Sequence, residues 1–286
     1  MTINDLRKEY HRDLIQQVIR FGEKKGVIFP NFADGDSKAS VCFAKGIVKR
    51  IGCNTENTEN ISGQTTGDLF ESITRLFLEK SFNLLQHIRP GSWLYHMQSP
   101  ISNYDQYEHL AYLDEIIKKD KTLASTLRGD YIIKPDIILS RLPLLDNEIN
   151  VHKKVIVGNE IATLNPLRKE NNNEQSKQIL MASISCKWTI RSDRSQNTRT
   201  EALNLIRNRK GNLPHIMAVT AEPLPTRIAA IALGTGDLDC TYHFALNELI
   251  ESVKESENED QLDMLNMMVD GRRLRDISDL PFDLAI

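Results

Sequence analysis

From Leu180 to Ile190 the even positions Leu180, Ala182, Ile184, Cys186, Trp188 and Ile190 are apolar, and the odd positions Ser183, Ser185, Lys187 and Thr189 are polar. Alternation of period two predicts a half-buried strand over Ile179–Ile190, with Ser185 and Lys187 on one face about 7 Å apart. Helical spacing recurs elsewhere. Leu6, Tyr10, Leu14, Val18 and Phe21 predict a helix over residues 4–21, with Gly22 and Gly26 ending it. Leu69, Ile73, Leu76, Phe77 and Leu84 predict a second over residues 66–86, stopped by Arg89-Pro90-Gly91, with Glu71 near its start. Further helices are expected over residues 104–119, 198–209, 245–253 and 261–269, and strands over 131–139, 216–220 and 228–233. Pro135 lacks a ladder donor, so the strand carrying it is expected to lie at an edge, an end or a bulge there. Residues 141–178 show the least pattern, and the polar stretch 170–178 predicts a mobile loop.

This order of elements predicts an α/β fold, a central mixed sheet flanked by helices, and no linker demands two domains. The expected organisation is one domain over residues 1–286. It has a catalytic core at about 64–235, an N-terminal helix and loop at 1–63, and C-terminal helices at 236–286. No segment approaches a membrane span, and the N-terminus lacks the apolar region of a signal peptide, so a soluble cytoplasmic protein is expected. Four scattered cysteines without a Cys-x-x-Cys pair suggest neither a zinc site nor a disulfide framework.

Thirty-six Lys+Arg against 39 Asp+Glu leave a formal charge of −3, so any affinity for nucleic acid must be local. Residues 187–210 supply it, with seven basic side chains against Asp193 and Glu201. This segment holds two of the parts that metal-dependent phosphodiester hydrolysis requires, and others lie earlier in the chain. Carboxylates hold one or two Mg²⁺ ions, and a lysine stabilises the added negative charge. Asp136 after Pro135 is the candidate metal ligand, and Lys187 the cationic group. Enzymes of this kind often carry an acidic residue two positions before the lysine, where this chain has Ser185. Glu201, fourteen residues after Lys187, is the nearest acidic residue able to return towards the strand, and Glu71 is a further candidate. Each piece has a plainer explanation: a Pro-Asp turn, a solvated strand face, and a Thr198–Glu201 capping box in which Glu201 only serves the helix start.

The segments Pro135-Asp136, Ser185-Cys186-Lys187, the run from Ile184 to Asn197, and Glu201 together resemble the CCGG group of type IIF restriction endonucleases. So do Ala33-Asp34-Gly35, Gly63-Gln64-Thr65, Thr220-Ala221-Glu222-Pro223 and Arg227. The resemblance implies a PD-(D/E)xK fold in which Ser185 replaces the second carboxylate and Glu201 compensates. Asp136, Glu71, Ser185, Lys187 and Glu201 would build the active site. Asp136, Glu71, Glu201 and the Cys186 backbone carbonyl would hold Mg²⁺, two ions per site. Arg191, Asp193 and Arg194 would read the inner CCGG, which suits arginine on guanine O6/N7 and a carboxylate on cytosine N4. Asp34 and Arg227 would read the outer pair and Gln64 the minor groove, so that palindromic GCCGGC in double-stranded DNA is the implied site. A homotetramer and a functionally, not physically, associated DNA methyltransferase are also implied. Read from the residues alone, two other functions stay open: a non-catalytic DNA-binding regulator and a junction or repair nuclease of the same fold.

Overall fold

The computed structural model describes the chain except residues 54–56, 60, 120–131, 159, 170–175, 191 and 235 and the side chains of 192–195. Tyr131, most of the expected loop at 170–178 and Arg191 therefore lie outside the described residues. Helix α1 (Ile3–Gln17) starts on a capping box: the Thr2 hydroxyl accepts from the Asp5 N–H at 3.2 Å, and the Asp5 carboxylate accepts from the Thr2 N–H at 2.9 Å. It buries Leu6, Tyr10 and Leu14 as their spacing requires. The helix stops four residues short of Phe21, because β1 (Phe21–Lys24) turns back into β2 (Val27–Pro30). Lys25 and Gly26 both have positive φ, 52° and 77°, as a two-residue type I′ hairpin needs. Gly26 thus marks a hairpin rather than a helix end.

Helix α2 (Lys38–Arg50) falls where no helix is expected and buries Phe43, Ala44, Ile47 and Val48. Its Gly46 sits so close to Ser252 that a Cβ would meet the serine Oγ at 2.5 Å. Helix α3 (Gly63–Asn83) buries Phe70, Glu71, Ile73, Thr74, Phe77 and Leu78, while Leu69 and Leu76 are half-buried and Leu84 is exposed. Its core face is therefore rotated by about one residue from the expected stripe. Next come β3 (Trp93–Met97), α4 (Glu108–Lys119), β4 (Ile137–Arg141), β5 (Ile179–Lys187) and α5 (Ser192–Asn208). They are followed by β6 (His215–Thr220), α6 (Pro225–Ala232), β7 (Cys240–His243), α7 (Leu246–Glu255), α8 (Glu259–Asp270) and β8 (Leu274–Asp276).

The six-stranded sheet has the order β3-β4-β5-β6-β7-β8. Strands β3 and β4 are antiparallel, whereas β6, β7 and β8 run parallel, since helices α6, α7 and α8 supply the crossovers that parallel neighbours need. The sheet is mixed and accompanied by helices, as expected. One expected strand is overturned: residues 228–233 fall in and just after α6. Pro225 fits its first turn, where a missing N–H is harmless, and Ile228, Ile231 and Ala232 bury one helical face at spacings of three and four. Among the described residues, no helix is long and apolar enough to cross a membrane.

The chain forms two compact units, one of residues 1–89, 184–202 and 215–286, the other of 90–183 and 203–214. In the second, Gln106 bridges to β5: its side-chain oxygen accepts from Leu180 N at 2.9 Å and its amide donates to Leu180 O at 2.7 Å. In the first, Arg7 of α1 makes two paired contacts. Its Nη1 and Nη2 reach the Glu248 carboxylate at 2.8 and 2.6 Å, and its Nε and Nη2 reach Asp276 at 2.8 and 2.7 Å. Burial pushes both carboxyls upward, yet the Arg7 hydrogen bonds outweigh it and hold them below their ordinary values. A lowered folded-state pKa stabilises above the unfolded value near 4 and is lost as pH falls through the folded one. Arg7→Met is expected to lower stability by about 3–5 kcal/mol at neutral pH, because the buried Asp276 and half-buried Glu248 carboxylates lose their partner, and by less at acid pH. Urea midpoints for wild type and variant at the two pH values check this.

Candidate active site

The C-terminal end of β5 presents Ser185, Cys186 and Lys187. Both faces of this strand are covered, with Ser183 and Ser185 only 5% and 8% exposed, so it is an interior strand and not the half-buried one its alternation predicts. Serine hydroxyls are small enough to be buried where partners exist, and so the polar face did not mark solvent. Lys187, half-buried, is the last strand residue. Its backbone oxygen accepts from the Thr220 hydroxyl at 2.8 Å and from the Ala221 N–H at 3.2 Å, which fixes the end of β5 to the end of β6.

Beneath this point lies an aromatic cluster. Trp188 packs edge-on against Phe70 (5.0 Å between centroids) and Phe32 (5.5 Å), and Phe244 closes the group against Phe32 at 5.7 Å. Three of the four rings neighbour a candidate site residue in sequence: Trp188 follows Lys187, Phe70 precedes Glu71, and Phe32 lies two before Asp34. Edge-to-face packing of this kind gives about 0.5–1.5 kcal/mol per pair beyond burial, and it holds three distant segments in one register.

Above the cluster, Gln64, Asp68, Glu71, Cys186, Lys187 and Glu201 line one cleft of about 460 Å³. Gln64, Asp68 and Glu71 come from one side of α3 at spacings of four and three. Asn197 and Glu201 share a face of α5. That helix begins at Ser192, six residues before the expected start, because its first turns are polar and its apolar positions begin only at Ala202 and Leu205. Thr198 is accordingly buried inside the helix and is not its N-cap, which removes the capping-box explanation of Glu201.

No set of three or more His, Cys, Asp or Glu side chains among the described residues is placed to hold a metal alone. Two carboxylates and a main-chain carbonyl are nevertheless a donor set that fits Mg²⁺, which keeps waters and takes its remaining oxygens from phosphate. Asp136 lies in the other unit, half-buried at the start of β4, where Gln98 N–H donates to the carbonyls of Pro135 (3.1 Å) and Asp136 (3.3 Å). Pro135 precedes the ladder, so it costs β4 no bond although that strand is interior; of the expected positions, the end of a strand is the one found.

A second cleft, of about 800 Å³, is lined by Asp34, Arg227, Thr189 and Ile190 among others, and Asn31 and Thr189 border both clefts. Asp34 and Arg227, which 193 positions separate in sequence, form an ion pair here. The Arg227 guanidinium, then the Asp36 N–H at 3.0 Å, hold the Asp34 carboxyl below the usual carboxylate range. Asp193 and Arg194 lie in the first turn of α5, with their side chains outside the described residues. Sequence reasoning gave no role to Glu222, which is 1% exposed beneath this cleft. Its signals were its place in the Thr220–Pro223 segment that carries the resemblance and its being the one charged residue in the mostly apolar run from Ile216 to Leu224.

Residues 10–286 match the family described as NgoMIV restriction enzyme. The chain is 47% identical over 285 residues to the type II restriction enzyme NgoMIV of Neisseria gonorrhoeae, covering 98% of this chain and 97% of that one. Among solved structures, the restriction endonuclease PspGI in a complex with substrate DNA matches 99% of this chain and 92% of its own at 15% identity, TM-score 0.36. The type IIF restriction endonuclease Bse634I with cognate DNA matches 90% and 99% at 12% identity, TM-score 0.35. These two likenesses are too distant in shape to bear on the site.

Proposed function

The chain belongs to the NgoMIV restriction enzyme family and is a type II restriction endonuclease, and we propose that it cuts double-stranded GCCGGC after the first G, with Mg²⁺, to leave 5′ CCGG overhangs. The single observation that carries this reading is the pair of adjoining clefts. One gathers Glu71, Lys187 and Glu201, and the other gathers Asp34 and Arg227, with Asn31 and Thr189 as common walls. A scissile phosphate in the first would place neighbouring base edges at the second. Membership of this family sets the regulator reading aside.

In this reading Glu71, Glu201, Asp136 and the Cys186 carbonyl hold the metal, which when bound polarises the phosphate and lowers the pKa of a water. The Lys187 ammonium faces the charge that builds on the phosphoryl oxygens. Ser185, buried and uncharged, leaves the second carboxylate role to Glu201. The Arg227 guanidinium donates to guanine O6 and N7 while Asp34 accepts from the cytosine N4 amino group, so one ion pair matches one G·C pair. Arg191, Asp193 and Arg194 read the inner bases, and Gln64, exposed at the start of α3, reaches the minor groove. A palindrome presents two equivalent phosphates, which calls for a two-fold dimer, and two dimers give the tetramer.

Plasmids carrying one or two GCCGGC sites test the proposal. Discrete fragments with four-base 5′ ends, only with Mg²⁺ and fastest on two-site DNA, are expected. Cleavage at another sequence would overturn the assigned site, and equal rates on both plasmids with a sedimentation mass near two chains would overturn the tetramer.

A further inference from the structure

Glu222 has the least exposed carboxylate among the described residues, and its contacts converge on base recognition. Its Oε2 accepts from the N–H of Ile190 at 2.9 Å, the residue immediately before Arg191. Its Oε1 accepts from the N–H of Leu224 at 3.2 Å, the residue that caps the start of α6, and lies 3.9 Å from Nη1 of Arg227 on that helix. The other end of the same guanidinium holds Asp34. Its own N–H donates to Thr220 Oγ1 at 3.1 Å, the hydroxyl that also donates to the Lys187 carbonyl. A buried carboxylate is stable only when its lone pairs are met, and here two backbone donors from different segments and one cation meet them.

We propose that Glu222 is a positioning residue for base recognition: it holds Arg227 and the backbone step ahead of Arg191 in one register, so that outer and inner base pairs are read together. This rests on the reading of Arg227 as the outer-pair contact. Loss of the charge leaves Arg227 tethered by Asp34 alone and frees its Nη1 end, while Lys187 keeps its bonds to Thr220 and Ala221. Discrimination at the outer pair should therefore weaken more than cleavage of the cognate site.

Burial pushes the Glu222 carboxyl up to about 7 against the pull of its two N–H donors and Arg227. Of the groups facing it, Asp34, whose carboxyl the Arg227 guanidinium holds below the usual carboxylate range, stays charged near neutral pH. His243 on β7, whose Nε2 lies 3.2 Å from the Glu222 carbonyl, is driven down to about 4 by burial and stays neutral. Below about pH 7 the carboxyl takes up a proton and its hold on Arg227 slackens.

The experiment is the ratio of single-turnover cleavage at GCCGGC to that at ACCGGT, for wild type, Glu222→Gln, Arg227→Ala and the double variant. Glu222→Gln is expected to lower the ratio about tenfold, within the range of a lost bidentate base contact. The double variant should match Arg227→Ala alone. A residue that merely supports folding would lower both rates together and leave the ratio unmoved. A ratio reduced by Arg227→Ala but unchanged by Glu222→Gln overturns the inference and spares the base assignment. A ratio unchanged by both overturns the assignment of Arg227 and the inference with it. Should Glu222→Gln fail to fold, the wild-type ratio from pH 8 to pH 6 decides: a fall supports the coupling, and a flat profile overturns it.

Discussion

Replacing Lys187 with alanine is expected to slow cleavage by about 10²–10³-fold, the size of effect seen when one preorganised charge-stabilising group is removed, while binding of cognate DNA persists. The fold gives the reason for separating the two effects. The Lys187 backbone is pinned by Thr220 and Ala221, and Trp188 is locked among Phe32, Phe70 and Phe244, so truncating the side chain leaves the strand end in place. Asp34 and Arg227 sit in a different cleft and are untouched. Single-turnover rates, paired with equilibrium binding measured without divalent cation, check the prediction. A rate within about tenfold of wild type, roughly 1.4 kcal/mol of barrier, would remove Lys187 from the chemistry.

How far the sequence reveals this arrangement depends on what each residue does. Helices α1, α3 and α8 were legible because their apolar positions repeat over several turns. β5 was legible as a strand, but its burial was not, since Ser183 and Ser185 look the same in a sequence whether solvated or covered. The strands β7 and β8 are four and three residues long, too short for a period to show. α6 is eight residues, Pro225 followed by Thr, Arg, Ile and Ala, where helix and strand patterns coincide over a short window. In the site, Lys187 and Glu201 could be paired from spacing, and Glu71 named as a further candidate. Asp34 and Arg227 could not be paired by any local pattern and were reached only through the resemblance. Glu222 stayed silent because its importance comes from being buried beneath another residue, and burial is a property of the folded chain.

The length of α5 makes Glu201 the sharpest remaining test. A glutamate at a helix start would return a hydrogen bond to the cap, and its loss would cost about 0.5–2 kcal/mol of stability with catalysis intact. Glu201 instead lies nine residues past Ser192, half-buried, on the wall of the cleft that holds Glu71 and Lys187. Alanine is the best helix former, so Glu201→Ala should leave α5 and the unfolding midpoint nearly unchanged. With Ser185 unable to act as a carboxylate, the same substitution removes one of the few anionic oxygens available to a divalent cation, and cleavage is expected to fall by about a hundredfold or more. Because the deficit is in cation binding, raising Mg²⁺ should recover part of the rate in Glu201→Ala, whereas it should do nothing for Lys187→Ala. Wild-type cleavage by a Glu201→Ala protein with a lowered urea midpoint would return Glu201 to a structural role and leave Ser185 without a compensating carboxylate.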